Sequence, residues 1–305
     1  MAILLIGGTG HIGSLVAREL TDRGADATVV SDSANPGSTP VTAKHIKGDV
    51  LDIDAMREIL PRFSTLFLLN PVAPDELTRA LLMLNLAEQA GIQRIVYFSM
   101  LHADTFADVP HAAAKRGAER MIEQMRLRAT VLRPSYFFQN DLEQKMPLTE
   151  KGRYVMPIGS VGVAMVDARD IAAVAASELI RREEAAEPLS PETIEIVGPE
   201  AFTGASMAAL WSDVLGRRIT YAGDDLGALE HLFRAQMPAA MAYDTALMFR
   251  DFQRHGYQGS PGAAQRVADR LGRPLRTYRS FAEEMAAAWN KPLLTKVADA
   301  VLPGR

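Results

Sequence analysis

Gly7, Gly10 and Gly13 recur at a spacing of three within Gly7-Gly8-Thr9-Gly10-His11-Ile12-Gly13. The apolar run Ala2–Ile6 precedes them and a helical pattern follows. In this context each glycine has a task. The first permits a tight turn, the second lets a pyrophosphate approach the backbone, and the third lets helix pack on strand. The helix then offers free N–H groups and the positive end of its dipole. The chemistry is the binding of the pyrophosphate of NAD or NADP. A plain structural turn is the alternative, and the strand–turn–helix setting argues against it.

The next strand ends Val29-Val30-Ser31-Asp32-Ser33. An acid at its end would bind the ribose hydroxyls of NAD, and an arginine would favour the NADP phosphate. Ser31 is neither. Asp32 can bind ribose or cap a turn, and Ser31 and Ser33 can hydrogen-bond a phosphate. Asp49, after the third strand, lies where adenine is expected, or is a solvated turn residue.

Dinucleotide-dependent dehydrogenases of this architecture commonly use Tyr-x-x-x-Lys on one helix face, where the lysine lowers the tyrosine pKa. The chain has seven tyrosines, none with a lysine four residues on. The corresponding helix reads His111-Ala112-Ala113-Ala114-Lys115. Lys115 is the candidate for the nicotinamide ribose or the substrate. His111 is an acid that works near neutral pH, or a surface residue at a helix start. Ser99, ending its strand, is a carbonyl-polarising hydroxyl or a loop-start serine. Strand C-terminal ends line the ligand crevice of open α/β sheets.

The elements that must position these residues follow from periodicity. Strands are expected at Ala2–Ile6, Ala27–Ser31, Lys44–Lys47, Thr65–Leu69, Arg94–Ser99, Ala129–Leu132 and Thr193–Val197. Helices are expected at His11–Arg23, Ile53–Leu60, Asp75–Ala90, His111–Met125, Asp167–Arg182 and Ser206–Leu215. Alternation of this kind implies parallel βαβ units with helices on both faces. Tyr136–Gly162 reads as loops, and the chain beyond Gly216 as mostly helical. The fold class is α/β: a Rossmann doubly wound parallel sheet, then a smaller, mainly helical substrate-side domain. The expected division is 1–150 and 151–305, with elements of about 163–200 packing back on the sheet.

Composition narrows the function classes. Of 305 residues, 48% are hydrophobic and 23% charged, which suits a globular core. The net charge of −4 and pI near 5.9 provide no field for nucleic acid or an anionic membrane. There is no cysteine, so disulfides, thiolate metal sites and a thiol nucleophile are excluded. No metal site is expected. Ala2–Ile6 is too short for a signal peptide or a span, and no later apolar run reaches the roughly 18 residues of a membrane helix. A cytoplasmic protein, monomer or homodimer, is expected. The Met-rich segment Leu226–Phe252 suits core or a homodimer interface, and less readily an adaptable partner surface.

The sequence resembles the NmrA-like family of atypical short-chain dehydrogenases/reductases over nearly its whole length. The resemblance rests on Gly7-Gly8-Thr9-Gly10, Gly48-Asp49, Phe67-Leu68-Leu69-Asn70-Pro71 and Arg94-Ile95-Val96-Tyr97-Phe98-Ser99. It continues through His111-x-x-x-Lys115, Leu132-Arg133-Pro134-Ser135-Tyr136-Phe137-Phe138-Gln139-Asn140, Asp167-Ala168-Arg169-Asp170-Ile171-Ala172 and Leu271-Gly272-Arg273-Pro274. It implies that Gly7, Gly8, Thr9, Gly10, His11 and Ile12 hold the pyrophosphate. Ser31 to Asn35 would flank the adenosine ribose or its phosphate, and Asp49 and Val50 the adenine. Asn70, Pro71, Val72 and Lys115 would lie along the nicotinamide half. Phe137, Phe138, Gln139 and Asn140 would sit near the nicotinamide and shape the substrate pocket. Asp167 is read as a loop contact and Asp170 as a helix N-cap. Many members carry arginine where this chain has Ser31.

Family members include NAD(P)H-dependent reductases of quinones or dyes, and dinucleotide sensors that regulate a partner. The missing tyrosine bears on the choice. Reducing a ketone creates a basic alkoxide that wants a strong acid nearby, whereas a quinone yields a delocalised oxyanion that needs less. Lys115, with or without His111, therefore suits a quinone-like aromatic acceptor. NADP is the expected cofactor, with NAD the alternative. Tyr136, Phe137 and Phe138 read equally as an apolar wall for such a ring and as ordinary core. The second reading is a non-catalytic NAD(P) redox sensor.

Overall fold

The computed structural model describes residues 2–32 and 43–289. Ser33, Ala34 and Asn35 lie outside them. The first half runs β1 (Ile3–Ile6), α1 (His11–Asp22), β2 (Ala27–Ser31), β3 (Lys44–Lys47), α2 (Ile53–Ile59), β4 (Thr65–Leu68), α3 (Glu76–Gln89), β5 (Arg94–Phe98), α4 (Pro110–Gln124) and β6 (Ala129–Pro134). The second runs β7 (Tyr136–Phe137), a 3-10 turn (Phe138–Gln144), α5 (Lys145–Thr149), β8 (Arg153–Tyr154), β9 (Val163–Val166), α6 (Ala168–Glu184), β10 (Glu192–Ile196), β11 (Ala201–Phe202), α7 (Gly204–Leu215), β12 (Thr220–Tyr221), α8 (Leu226–Arg234), α9 (Ala239–His255), α10 (Ala263–Leu271) and α11 (Tyr278–Trp289).

Among the described residues the main sheet has seven strands, ordered β10-β6-β5-β4-β1-β2-β3. All its pairings are parallel. The order reverses between β1 and β4, the place where such sheets open a ligand crevice. Continuous apolar runs make the central strands because both faces are covered. Leu5, Val29, Phe67 and Val96 meet α1 and α6 on one face. Leu4, Val30, Leu66 and Ile95 meet α2, α3 and α4 on the other. The Rossmann expectation therefore holds.

The segment 136–162 is more structured than its Gly and Pro content predicts. Its hub is Asp141, a fully buried carboxylate that accepts hydrogen bonds from Tyr278 at 2.6 Å, Tyr154 at 2.9 Å and Tyr136 at 3.0 Å. Burial pushes the Asp141 pKa up to about 6, and the three hydroxyls offset only part of that rise. A carboxyl whose folded pKa exceeds its unfolded value contributes stability that is full below the unfolded pKa and lost as pH rises through the folded one. Here that window is about pH 4 to 6. Asp141→Asn cannot ionise. Its stability relative to wild type should improve by roughly 2–3 kcal/mol between pH 4 and 7 in urea titrations. A stability difference that stays constant with pH would contradict this.

The two aspartates of the 167–172 segment exchange their expected roles. Asp167 is the N-cap of α6, accepting from the Arg169 N–H at 2.8 Å. Asp170, already inside the helix and buried, accepts from Arg273 and from the Arg276 backbone and side chain. It ties the Leu271–Arg276 loop to the sheet-facing helix.

Candidate dinucleotide and acceptor site

The glycine loop is shaped by close approaches. Gly7 adopts φ +82°, and a Cβ there would stand 2.2 Å from the Leu69 carbonyl oxygen. A Cβ on Gly8 would meet both Val29 methyls at 2.8 Å, and one on Gly13 would meet the Gly7 carbonyl oxygen at 2.0 Å. Gly10 is different. It is the N-cap of α1 in extended conformation, and a Cβ there would find only the Gly7 oxygen at 3.5 Å. Among the described residues nothing else lies within 4 Å of that position. Among the described residues no side chain caps α1 and no acid occupies its first turn, so its leading N–H groups are left without intrahelical partners. His11 is exposed, Thr9 half-buried, and Ile12 turns its side chain into the core. These residues form a cradle that fits a pyrophosphate.

Ser31 ends β2 and its hydroxyl lies 2.8 Å from Nε2 of His45 on β3. Asp32 follows, exposed, in a bend. Asp49 is an exposed turn residue whose carboxylate accepts from the Leu51 N–H at 2.9 Å and faces Arg79 at 3.9 Å. Val50 is half-buried beside it.

Across the switch point, Asn70 follows β4. Its side chain is 3% exposed, yet neither amide atom has a hydrogen-bond partner among the described residues. A buried amide without partners costs ~1–3 kcal/mol, and a bound polar ligand would recover it. Pro71 and Val72 are exposed on the same loop. Lys115 reaches this end of the sheet from α4. Its ammonium donates to the Phe98 carbonyl at 2.9 Å and lies 2.8 Å from Glu76 Oε1. The second contact is close but poorly aimed for a hydrogen bond, and among the described residues neither Glu76 oxygen has a hydrogen-bond partner. Lys115 and Glu76 are both essentially buried. Burial raises the Glu76 pKa, and Lys115 lowers it less than burial raises it. An ammonium has three donors, and among the described residues the Phe98 carbonyl takes one of them as a hydrogen bond.

His111, one turn earlier, is held by a residue of the second half. Asp244 on α9 lies 2.8 Å from its Nδ1 and also accepts its backbone N–H at 3.3 Å. A carboxylate at Nδ1 favours the tautomer with the proton there and leaves Nε2 for another partner. This pair acts electrostatically on Glu76. Glu76 and Asp244 carry no motif and escaped the sequence reading. The available signal was an acid within the apolar face of each helix.

Other candidates fall outside this group. The Ser99 hydroxyl donates to buried Glu119 at 2.6 Å, and Glu119 also accepts from Arg133 at 2.6 and 2.9 Å. The hydroxyl proton is committed to that cluster. Phe138 is fully buried against Tyr278 and Phe281. Its side chain is part of the core. Tyr136 is likewise buried beneath Asp141. Phe137 alone of the three is half-exposed, set edge-to-face against Phe98 at 6.3 Å. Gln139 bridges Asp167 and the Ala168 N–H at 3.0 and 2.9 Å, tying the 3-10 turn to the start of α6, and Asn140 is exposed.

Tyr97 does not replace the missing tyrosine. Its ring lies under the Lys115 ammonium at 5.6 Å. Its hydroxyl is buried without a hydrogen-bond partner among the described residues, and desolvation, with Glu76 and Glu119 nearby, pushes its pKa well above the usual value. No helix among the described residues is long and apolar enough to cross a membrane.

The NAD(P)H azoreductase of Xenophilus azovorans is 28% identical over 299 residues, covering 94% of this chain and 99% of that protein. The NADPH complex of the Escherichia coli quinone oxidoreductase QOR2 superposes with a TM-score of 0.81 at 22% identity, over 94% and 100% of the two chains. NmrA, a negative transcriptional regulator, superposes at 0.71 with 19% identity over 98% of each. A model of the NmrA-like family matches residues 1–293, and the chain belongs to that family.

Proposed function

We propose that the protein is an NADP(H)-dependent reductase, with NAD(H) as the alternative cofactor, acting on quinone-like or other conjugated small molecules. The observation that carries this reading is the buried Lys115 ammonium. Glu76 and the Phe98 carbonyl hold it, and the unpartnered Asn70 amide lies at the same end of the sheet. A protein that only binds the dinucleotide needs the glycine cradle. It does not need a buried proton donor past the switch point.

The bound dinucleotide supplies hydride at its nicotinamide. In the proposed assignment Gly7, Gly8, Thr9, Gly10, His11 and Ile12 bind the pyrophosphate. Ser31 and Asp32 face the adenosine ribose, with Asp49 and Val50 near adenine. Asn70, Pro71, Val72 and Lys115 orient the nicotinamide half, and half-exposed Phe137 is the apolar wall for the acceptor ring. Residues 1–150 bind the dinucleotide and residues 151–305 shape the acceptor side. A quinone that accepts hydride becomes an oxyanion and needs one proton to become hydroquinone. Lys115 holds that proton at Nζ. A delocalised oxyanion accepts such weak help, whereas an alkoxide would call for the tyrosine this chain lacks.

Similarity to NmrA favours one other reading, a dinucleotide sensor with little turnover. The test is consumption of NADPH and NADH by the purified protein over a panel of small quinones and azo dyes. Turnover on one or more acceptors is expected. Tight dinucleotide binding with no turnover on any of them would overturn the reductase in favour of the sensor.

A further inference from the structure

The β2 end lacks the arginine expected to hold a 2′-phosphate. Two basic residues of the neighbouring strand stand at that place. In the parallel register His45 pairs with Val29 and Lys47 with Ser31. Side chains alternate along strands, so Val29, Ser31, His45 and Lys47 share one face. That face carries the glycine loop, because a Cβ on Gly8 would strike both Val29 methyls. His45 Nε2 lies 2.8 Å from Ser31 Oγ, which fixes the imidazole beside the residue that ends β2. Lys44 belongs to the opposite face and is engaged by Asp26 at 2.8 Å. Lys47 is exposed, and among the described residues no carboxylate pairs with it.

We propose that His45 and Lys47 of β3, with Ser31, form the grip that recognises the 2′-phosphate of NADP(H). A compact ammonium supplies the charge for a phosphate. The Ser31–His45 pair supplies hydrogen-bonding groups beside it. Asp32, one residue past β2, is the opposing element, since an acid there suits the free ribose hydroxyls of NAD(H). The balance between Lys47 and Asp32 therefore sets the preference. This inference rests on the dinucleotide reading above and sharpens it to one cofactor.

The experiment is a binding titration that needs no acceptor and no turnover. NADPH, NADH and adenosine 2′,5′-bisphosphate are titrated by calorimetry into the intact wild-type protein, Lys47→Gln and His45→Gln, with thermal melts as a check on folding. Wild type should bind NADPH more tightly than NADH. Lys47→Gln, at an exposed position, should weaken NADPH and the bisphosphate by about tenfold or more, and NADH by less than about twofold. His45→Gln should follow the same pattern less strongly. Tighter wild-type binding of NADH would overturn the inference, as would variants that weaken both dinucleotides equally or neither. Absence of binding by both dinucleotides would overturn the underlying reading and this one with it.

Discussion

Gly13→Ala is expected to lose both stability and dinucleotide binding, whereas Gly10→Ala should lose the binding alone. The two glycines are three residues apart and share a motif, but their surroundings differ. A methyl at Gly13 would press on the Gly7 carbonyl at 2.0 Å and on Gly8 Cα at 2.7 Å, all backbone atoms of the same turn. The turn must open or α1 must retreat from β1. Overpacking of this kind costs roughly 1–3 kcal/mol or more. At Gly10 the protein has room, with φ at −74° and the closest atom at 3.5 Å. In the proposed assignment the methyl would occupy the place of the pyrophosphate. NADPH affinity should fall by about tenfold or more, equivalent to roughly 1.4 kcal/mol, at an unchanged melting temperature. Equal behaviour of the two variants in melts and titrations would show that the loop is a structural turn.

The Glu76–Lys115 pair should show the second large effect. Removing one member of a buried ion pair leaves an uncompensated charge and costs about 3–5 kcal/mol, while replacing both with apolar groups is often neutral. Glu76→Leu strands the Lys115 ammonium with the Phe98 carbonyl alone. Lys115→Met strands a carboxylate whose pKa burial already holds above its ordinary value, so that variant can relieve part of its penalty by binding a proton. Urea unfolding at neutral pH should therefore find Glu76→Leu the less stable single variant. The double variant should recover most of the loss and still not turn over. A stable double variant that retained activity would reduce the pair to a packing feature.

The glycine cradle and the order of the central strands were legible because they rest on local spacing. An apolar run, a glycine triplet and a helical period all lie within a few residues of one another. The Lys115 end of the proposed site was only half legible. Lys115 announced itself by its place four residues after His111. Its partner Glu76 comes from another helix, and Asp244 lies 133 residues beyond His111. Phe137 and Phe138 show a different limit. Neighbouring residues of an extended segment face opposite ways, and β7 is only two residues long. No periodicity could say which ring stays half-exposed and which enters the core. Asp167 and Asp170 both fit a helix start, and only the docking of Arg273 and Arg276 separates the cap from the anchor.

The central claim, a reductase whose proton donor is Lys115, is tested most directly by steady-state oxidation of NADPH with a quinone, comparing wild type with Lys115→Met at saturating cofactor. Wild type should turn over, and kcat should fall by about 100-fold or more in the variant, the lower range for loss of a positioned acid. The dinucleotide should remain bound in the variant. Wild-type kcat in a variant that binds NADPH normally would contradict the account.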